Sequence, residues 1–228
     1  MGMRRTLERS SRRGRLRRAW AAREQRNGKA GVAVGHDEIA QDRLYYFEAH
    51  EIVVPDFDAS GYILDLGGGG EGVIGTLKTG QVVAIDPNRR ELEDAPAGPL
   101  KIIMDARALR FLDSTFSAAT SFFTLMYIPG SDHEKVFGEV FRVLKTGAPF
   151  FIWDVAFPSR LDSERDIAVI PLTVKLPTVN IETGYGTRWP DKEQGLNHYR
   201  RLAESSGFDV LGAEETGRVL FLHLQKPG

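Results

Sequence analysis

Glycines and carboxylates lie together where an apolar run ends in a turn. The run Ile63–Leu66 carries Asp65 and is followed by Gly67–Gly72, in which five glycines are interrupted by Glu71. Glycine lets the backbone approach a ligand closely, and the spacing fits the Gly-x-Gly-x-x-Gly fingerprint of dinucleotide sites. A dinucleotide, however, would place its pyrophosphate at the start of the following helix, where Asp65 and Glu71 would repel it. The stretch instead favours a ligand that has an ammonium group and no phosphate.

S-adenosylmethionine (SAM) is such a ligand, since it combines an amino acid, a sulfonium and an adenosine. Two further apolar runs end in acids. Gln81–Asp86 predicts a second strand, and Asp86 lies 19 residues after Gly67, near the spacing of about 20 expected for a carboxylate that holds ribose hydroxyls. Leu100–Ala106 predicts a third strand, with Asp105 near its end. We therefore expect three carboxylates at the carboxyl ends of neighbouring strands, which is where ligands bind in such sheets.

With these motifs in order, the chain resembles the class I SAM-dependent methyltransferases. The similarity is specific over Tyr62–Asp154 and looser up to Leu224, and the string Val140–Gly147 resembles the segment before the fifth strand in small-molecule and quinone-type members. The resemblance implies an α/β, Rossmann-like, doubly wound and mostly parallel sheet with a final antiparallel strand. It also implies SAM as the cofactor.

The resemblance implies a cofactor site at the carboxyl ends of the first four strands. Beyond the three strands above, Phe116–Phe123 predicts the fourth and Pro149–Val155 the fifth. The site would consist of Asp65, Gly67, Gly69, Asp86, Pro87, Asp105, Ala106 and Phe122. Asp65 and the two glycines would line the methionine end of SAM, Asp86 would hold the ribose, and Asp105 would accept a hydrogen bond from the adenine amino group.

The chemistry of methyl transfer requires little of the protein besides alignment. The methyl group leaves a sulfonium in an in-line displacement, and alignment lowers much of the barrier. A general base is needed only for a hydroxyl, an acidic carbon or a protonated amine. The sequence contains no Asn/Asp-Pro-Pro-aromatic motif of amino methylation and no acid cluster suited to magnesium, so we assign no catalytic residue and expect no metal site.

Three residues are weaker candidates for binding the methyl acceptor. Tyr127 follows the fourth strand, Asp154 ends the fifth, and Trp189 lies in an aromatic segment. Each has a structural alternative: a packing aromatic, a loop-capping carboxylate and a loop anchor. His133 is expected in the first turn of a helix and His198 on an exposed helical face, without a catalytic role.

Composition narrows the class of protein. The chain has 228 residues, 42% of them hydrophobic and 27% charged, with no cysteine. The missing cysteine excludes disulfides, thiolate catalysis and zinc–cysteine sites, and it fits the reducing cytoplasm, where we expect the protein. No apolar run reaches the 18 or more residues that a membrane span needs.

Charge is distributed unevenly along the chain. Residues 1–31 contain ten Arg and one Lys against two Glu, which gives them a net charge of +9. Since the whole chain has a net charge of -1, the remaining residues have a net charge of -10. We interpret 1–31 as a basic, flexible N-terminal arm, with a contact to nucleic acid or an anionic surface as the alternative. Residues 32–228 would form the SAM-binding methyltransferase domain. Within it, 36–52 predicts a helix. Residues 156–190 predict an insertion over the site, which we interpret as a hairpin or short extra strands followed by an aromatic loop over 185–190.

The function that these features favour is methyl transfer from SAM to a small molecule. Two alternatives remain open: an RNA or protein methyltransferase that uses the basic arm, and a SAM-binding protein without catalysis. A nucleotide-dependent oxidoreductase is disfavoured by Asp65. The expected partners are a small-molecule acceptor and, through the arm, nucleic acid; no membrane span is expected.

Overall fold

A computed structural model describes residues 41–159 and 164–228, so the predictions for the basic arm over 1–31 lie outside the described residues. The chain divides into two compact units. One consists of the residues up to Pro55 together with Glu164–Arg188, and the other of Asp56–Ser163 together with Trp189–Gly228.

The described part of the chain contains eleven strands and four α-helices. The strands are β1 (Leu44–Tyr46), β2 (His50–Val53), β3 (Ile63–Leu66), β4 (Val82–Asp86), β5 (Leu100–Ile103), β6 (Ala118–Phe122), β7 (Pro149–Val155), β8 (Ile167–Lys175), β9 (Asn180–Arg188), β10 (Asp209–Thr216) and β11 (Val219–Gln225). The helices are α1 (Val73–Lys78), α2 (Arg89–Asp94), α3 (His133–Val143) and α4 (Leu196–Ser205).

The larger unit is built on a sheet in which seven described strands follow the order β10-β11-β7-β6-β3-β4-β5. The five strands from β7 to β5 are parallel, whereas β11 is antiparallel to β7 and β10 is antiparallel to β11. This arrangement confirms the predicted α/β fold with a mostly parallel sheet, and the final strand pair is antiparallel as expected.

The order of the strands creates a crevice beside β3. From β3 the chain runs outward through β4 to β5, and it then returns to place β6 on the other side of β3. In open parallel sheets the connections diverge at such a reversal, and ligands bind outside the carboxyl ends of the strands there. The turn after β3 and the segment after β6 both begin at this point.

The core of the larger unit lies between the sheet and the helices α3 and α4. In α3, Val136, Val140 and Val143 recur at helical spacing and are buried, as are Tyr199 and Ala203 of α4. They pack against alternate residues of the strands, because successive strand side chains point to opposite faces of a sheet. The amphipathic pattern of each helix therefore determines which face it presents to the sheet.

The smaller unit is a separate sheet around β8. β9 pairs antiparallel with β8, which confirms the predicted hairpin, although β9 extends through Arg188 where the sequence predicted an aromatic loop. On the other edge of β8, β1 and β2 pair in parallel one after the other. The break between them lies opposite the region of Pro171, which has no N–H to continue a ladder. Whether the hairpin covers the cofactor site stays a prediction.

The prediction of a helix over 36–52 is wrong for its described part. Gln41–Arg43 forms one 3-10 turn, and β1 and β2 follow it. The segment is rich in aromatic and β-branched residues, which pack well on a pleated surface. Its partner strand β8 begins more than a hundred residues later, so the local spacing of apolar residues could not show that a strand was available for pairing.

A core substitution tests this architecture. Phe137 of α3 is fully buried and meets the ring of Phe150 edge-on, with centroids 5.9 Å apart. Phe137→Ala should lower the free energy of unfolding by about 3–5 kcal/mol, because a large cavity replaces the ring. Leu112→Ala is the matched control, since Leu112 is 84% exposed and its loss should change stability by less than about 0.5 kcal/mol. Urea denaturation measures both, and equal effects would contradict the described packing.

Candidate functional site

The turn after β3 is locked to the segment after β6. Gly67 has a φ of +65°, a left-handed conformation that favours glycine. A Cβ on Gly67 would overlap the side chain of Thr124. The Thr124 hydroxyl donates to the backbone carbonyl of Leu66 at 2.9 Å. A residue larger than glycine at position 67 would therefore push apart the two sides of the crevice.

The same turn is held against the second carboxylate. A Cβ on Gly69 would lie 2.5 Å from the Cβ of Glu91 and 3.1 Å from Oδ2 of Asp86. The Gly70 N–H donates to the Glu91 carbonyl at 2.8 Å, and Oδ1 of Asp86 accepts from the Asn88 N–H at 2.7 Å. The structure thus brings Gly69 and Asp86, two predicted site residues, into direct proximity.

Asp65 lies beneath the turn. The residue is 2% exposed, and its Oδ1 accepts a hydrogen bond from the Thr120 hydroxyl at 2.8 Å. Its Oδ2 is 2.6 Å from the place where a Cβ of Gly68 would stand. Burial, and to a smaller extent the charge of Asp86, raises the pKa of Asp65 to about 7, while the Thr120 bond lowers it. The geometry places Asp65 as a support of the glycine turn, and its contact with SAM stays a prediction.

The third carboxylate, Asp105, follows β5 and is held by an arginine. Arg107 donates to Asp105 from Nε and Nη2, and its own backbone N–H donates to Oδ1 of Asp105 at 2.9 Å. These hydrogen bonds hold the pKa of Asp105 below its usual range. Ala106 between them is buried. Arg107 is not among the predicted site residues, because nothing in the local sequence pattern indicates that its side chain turns back onto Asp105.

Pro87 and Phe122 complete the predicted cofactor set. Pro87 is exposed directly after Asp86. Phe122 ends β6 and is buried, with its ring centroid 5.1 Å from that of Phe123 and 6.0 Å from that of Trp153. Phe123 itself has a φ of +49°, a conformation that costs energy for a bulky residue and concentrates at functional sites.

Of the acceptor candidates, Tyr127 is the one at the surface. It ends the 3-10 turn Leu125–Tyr127 and is 46% exposed. Its backbone N–H donates to the Thr124 carbonyl at 3.0 Å, so it is on the same segment that contacts the glycine turn. A role in binding the acceptor stays a prediction for this residue.

Asp154 holds that segment from behind. It is fully buried at the end of β7, and its carboxylate accepts from the N–H groups of Val155 at 2.8 Å and Met126 at 3.3 Å. Burial raises the pKa of Asp154 to about 7, although hydrogen bonds from the backbone oppose the shift. This geometry supports the loop-capping alternative for Asp154. Nearby, the hydroxyl of Tyr199 is buried and has no hydrogen-bond partner among the described residues.

A histidine pair also holds the segment. Nε2 of His133 lies 3.1 Å from the Leu125 carbonyl oxygen and 3.0 Å from that of Ile128. A carbonyl only accepts, so Nε2 carries the proton and Nδ1 of neutral His133 accepts from Nε2 of His198 at 3.0 Å. Burial lowers the pKa of His133, and burial together with His133 lowers that of His198 to about 4. His198 is half-buried, so the prediction of an exposed position was wrong.

The geometry of Trp189 supports its structural alternative, a loop anchor. Trp189 is buried, its indole N–H donates to the Pro158 carbonyl at 3.0 Å, and its ring meets Phe157 edge-on. These contacts make it a loop anchor within the larger unit, and a role in acceptor binding stays a prediction. In the part of the chain described, no three His, Cys, Asp or Glu side chains are grouped as metal ligands.

The buried position of Asp154 predicts a pH dependence of stability. Its pKa of about 7 lies above the ordinary value of 3.8, so between these values the folded state binds more protons than the unfolded state. Its contribution to stability is therefore largest below pH 4 and is lost as the pH rises to 7. Asp154→Asn should remove this loss, which is on the order of 2–4 kcal/mol at about 1.4 kcal/mol per pKa unit.

The measurement is urea denaturation at pH 4, 5.5 and 7 for the native chain and the variant. Asp94→Asn is the matched control, since Asp94 is exposed on α2 and should leave the slope unchanged. The histidines and Asp65 remain in all three proteins, so their contributions cancel in the comparison. Parallel pH profiles for the native chain and Asp154→Asn would contradict the prediction.

Comparisons with known proteins agree with this geometry. Residues 64–152 match the family described as Methyltransferase domain. The sterol 4-C-methyltransferase strm-1 of Caenorhabditis elegans is 34% identical over 116 residues, which cover 45% of this chain and 34% of the relative. The chain thus spans about a third of the length of this curated relative.

Solved structures share the fold. A SAM-dependent methyltransferase from Methanosarcina mazei is similar with a TM-score of 0.52 and 20% identity, over 75% of this chain and 94% of that one. Phosphoethanolamine N-methyltransferase 2 of Haemonchus contortus, solved with phosphomonomethylethanolamine and S-adenosylhomocysteine, is similar with a TM-score of 0.55 and 16% identity, over 76% and 50%. The sheet order, the glycine turn and the matched family agree: residues 64–152 form a methyltransferase domain with the fold of the class I SAM-dependent enzymes, whose cofactor is SAM.

Proposed function

We propose that the protein transfers the methyl group of SAM to a small-molecule acceptor. One observation carries the proposal: three carboxylates, Asp65, Asp86 and Asp105, lie at or just after the carboxyl ends of the adjacent strands β3, β4 and β5. Asp65 and Asp86 adjoin the glycine turn at the strand-order reversal, where such sheets bind ligands, and Asp105 follows the next strand along the same edge.

The acidic side chains at this edge of the sheet fit SAM better than a dinucleotide. Oδ2 of Asp86 lies beside Gly69, where a carboxylate accepts from two ribose hydroxyls. Asp105 would accept from the adenine amino group, and the backbone of Gly67 and Gly69 would line the methionine end. Asp65 would act from beneath, by holding the turn and by adding negative charge near the ammonium group. A pyrophosphate at the glycine turn would instead lie next to Asp65 and Glu71, whose negative charge would repel it.

When bound, SAM supplies a methyl group on a positively charged sulfur. The chain's own contribution is to hold the donor and acceptor in line, which supplies much of the rate enhancement. We infer that the segment from Thr124 to Ile128 sets this alignment, because it contacts the glycine turn at one end and presents Tyr127 at the surface. The buried rings of Phe122 and Phe123 exclude water from the strand end beside it.

Two similarities support a small molecule as the acceptor. The curated relative is named as a sterol 4-C-methyltransferase, and one structural neighbour was solved with phosphomonomethylethanolamine. The string Val140–Gly147 adds the resemblance to small-molecule and quinone-type enzymes. A macromolecular acceptor would depend on the basic residues 1–31, which lie outside the described residues.

The proposal includes the organisation of the chain and its location. We infer that residues 32–228 provide the SAM-binding domain, with 156–190 as an insertion over the site and 1–31 as a basic arm. We place the protein in the cytoplasm on the basis of its lack of cysteine. Within the described stretches, every helix is too short or too polar to cross a bilayer.

Removing the ribose carboxylate tests the cofactor assignment. Asp86→Ala should weaken binding of SAM by about 1–3 kcal/mol, because charge-assisted hydrogen bonds to the hydroxyls are lost. Asp94→Ala is the control, since it removes an exposed carboxylate from α2 in the same region of the chain. Isothermal titration calorimetry with SAM, S-adenosylhomocysteine and NAD measures the effect. Unchanged SAM affinity in a folded Asp86→Ala variant would show that Asp86 does not hold the ribose.

The reaction itself is tested with labelled SAM and three acceptor classes: a sterol, phosphoethanolamine and total RNA. Transfer of label to the sterol or to the phosphorylated amine, with S-adenosylhomocysteine as the second product, is the expected outcome. Transfer to RNA alone would replace the small molecule with a nucleic acid. Tight binding of SAM without transfer to any of a broad panel of acceptors would favour a SAM-binding protein without catalysis.

A further inference from the structure

Arg107 closes around the carboxylate that the proposed function assigns to adenine. Its Nε lies 3.0 Å from both Oδ1 and Oδ2 of Asp105, and its Nη2 lies 2.6 Å from Oδ2. The Arg107 backbone N–H donates to Oδ1 at 2.9 Å. One residue, two positions further along the chain, thus supplies three donors to a single carboxylate.

The donors leave one acceptor site open on Asp105. An ionised carboxylate has about four acceptor sites on its two oxygens. The backbone N–H occupies one on Oδ1, Nη2 occupies one on Oδ2, and Nε is shared between the oxygens because it is equidistant from both. Three donors on about four acceptor sites leave the carboxylate able to accept one further N–H donor.

A second carboxylate fixes the arginine itself. Nη1 of Arg107 donates to Oδ2 of Asp132 at 2.9 Å, and Oδ1 of Asp132 accepts from Lys135 at 2.9 Å. Asp132 directly precedes α3, so the guanidinium connects the loop after β5 to the start of that helix. The planar fork of an arginine holds its donors in a fixed relation. The orientation of Asp105 is therefore set from a rigid element rather than by the loop alone.

We propose that Arg107 is a positioning residue that turns Asp105 so that its one open acceptor site takes the exocyclic amino group of adenosine. The inference rests on the proposed function, since it takes Asp105 to face the adenine of SAM. It goes beyond that function because it gives Arg107 a role in selecting a 6-amino purine over a 6-oxo purine. Arg107 would act through Asp105, without contacting the ligand.

The charge of Arg107 acts in the same direction as its geometry. The guanidinium keeps Asp105 ionised, because its hydrogen bonds hold the pKa of that carboxyl below the usual range. An ionised carboxylate only accepts, so it binds an amino group and repels the oxygen of a 6-oxo purine. Without Arg107 the carboxylate turns freely in solvent, and part of this discrimination is lost.

Binding of two ligands tests the proposal without any turnover. Calorimetry compares S-adenosylhomocysteine with S-inosylhomocysteine, its 6-oxo analogue, for the native chain and for Arg107→Met. Arg107→Met keeps the stem and removes the guanidinium. The expected result is about a tenfold loss of affinity for the adenosyl ligand, the low end for a charge-assisted hydrogen bond because both side chains are close to half exposed. The inosyl ligand should change less than about twofold.

Arg110→Met is the matched control. Arg110 and Arg107 line the same shallow hollow of about 620 Å³, so both variants remove one positive charge from one surface. The guanidinium of Arg110 forms no hydrogen bond or ion pair with the described residues, and its backbone N–H meets the sulfur of Met104. Arg110→Met should leave the ratio of the two affinities as it is in the native chain.

Asp132→Asn provides a second variant, which keeps Arg107 and weakens its outer anchor together with the ion pair between Asp132 and Lys135. Asp132→Asn should also lower the affinity for S-adenosylhomocysteine relative to S-inosylhomocysteine, but by a smaller factor of roughly two to three. This variant provides the test if Arg107→Met fails to fold. Equal losses for both ligands in Arg107→Met, or an unchanged ratio in both variants, would overturn the positioning role while leaving the proposed function intact. A native chain that binds neither ligand would overturn the proposed function itself, and the inference with it.

Discussion

The contact between the turn after β3 and the segment after β6 is the constraint on which the site depends. The Thr124 hydroxyl donates to the carbonyl of Leu66, and Gly67 leaves the space that the Thr124 side chain fills. Because the strand order reverses between β3 and β6, no helix bridges these two strand ends, and the loops themselves must close the gap. The turn after β3 and the segment from Thr124 to Ile128 are therefore a single packed unit.

Buried polar groups rigidify that unit from below. Asp65 supports the glycine turn. In the segment from Thr124 to Ile128, Asp154 accepts a hydrogen bond from a backbone N–H and His133 donates to two backbone carbonyls. Each of these groups is taken out of water, which is costly unless hydrogen bonds compensate. Such groups contribute less to stability than apolar residues of the same size would, but a fully bonded network permits one arrangement of the loop. Methyl transfer requires a protein mainly to align the donor and the acceptor. The free-energy cost of burying these polar groups therefore falls on a segment whose rigidity would favour that alignment.

Much of the fold was predictable because its signals are local. Strand β3 and its glycine turn, the acids that end β4 and follow β5, and the amphipathic helix α3 each depend on residues within one short window. The failures share a cause. The helix predicted over 36–52 gave way to β1 and β2 because their partner β8 lies far away in the chain. His198 was predicted to be exposed because its partner His133 is 65 positions earlier.

The sequence by itself indicated SAM as the ligand and determined which edge of the sheet carries the acids, since the positions of Asp65, Asp86 and Asp105 within or just after apolar runs are properties of the chain alone. Only the tertiary structure decided what each carboxylate does. Asp65 is buried beneath the turn, Asp86 lies beside Gly69, and Asp105 is held by Arg107. The reason is that a carboxylate's role depends on its solvation and its donors, and both come from elements that pack together only after the chain has folded.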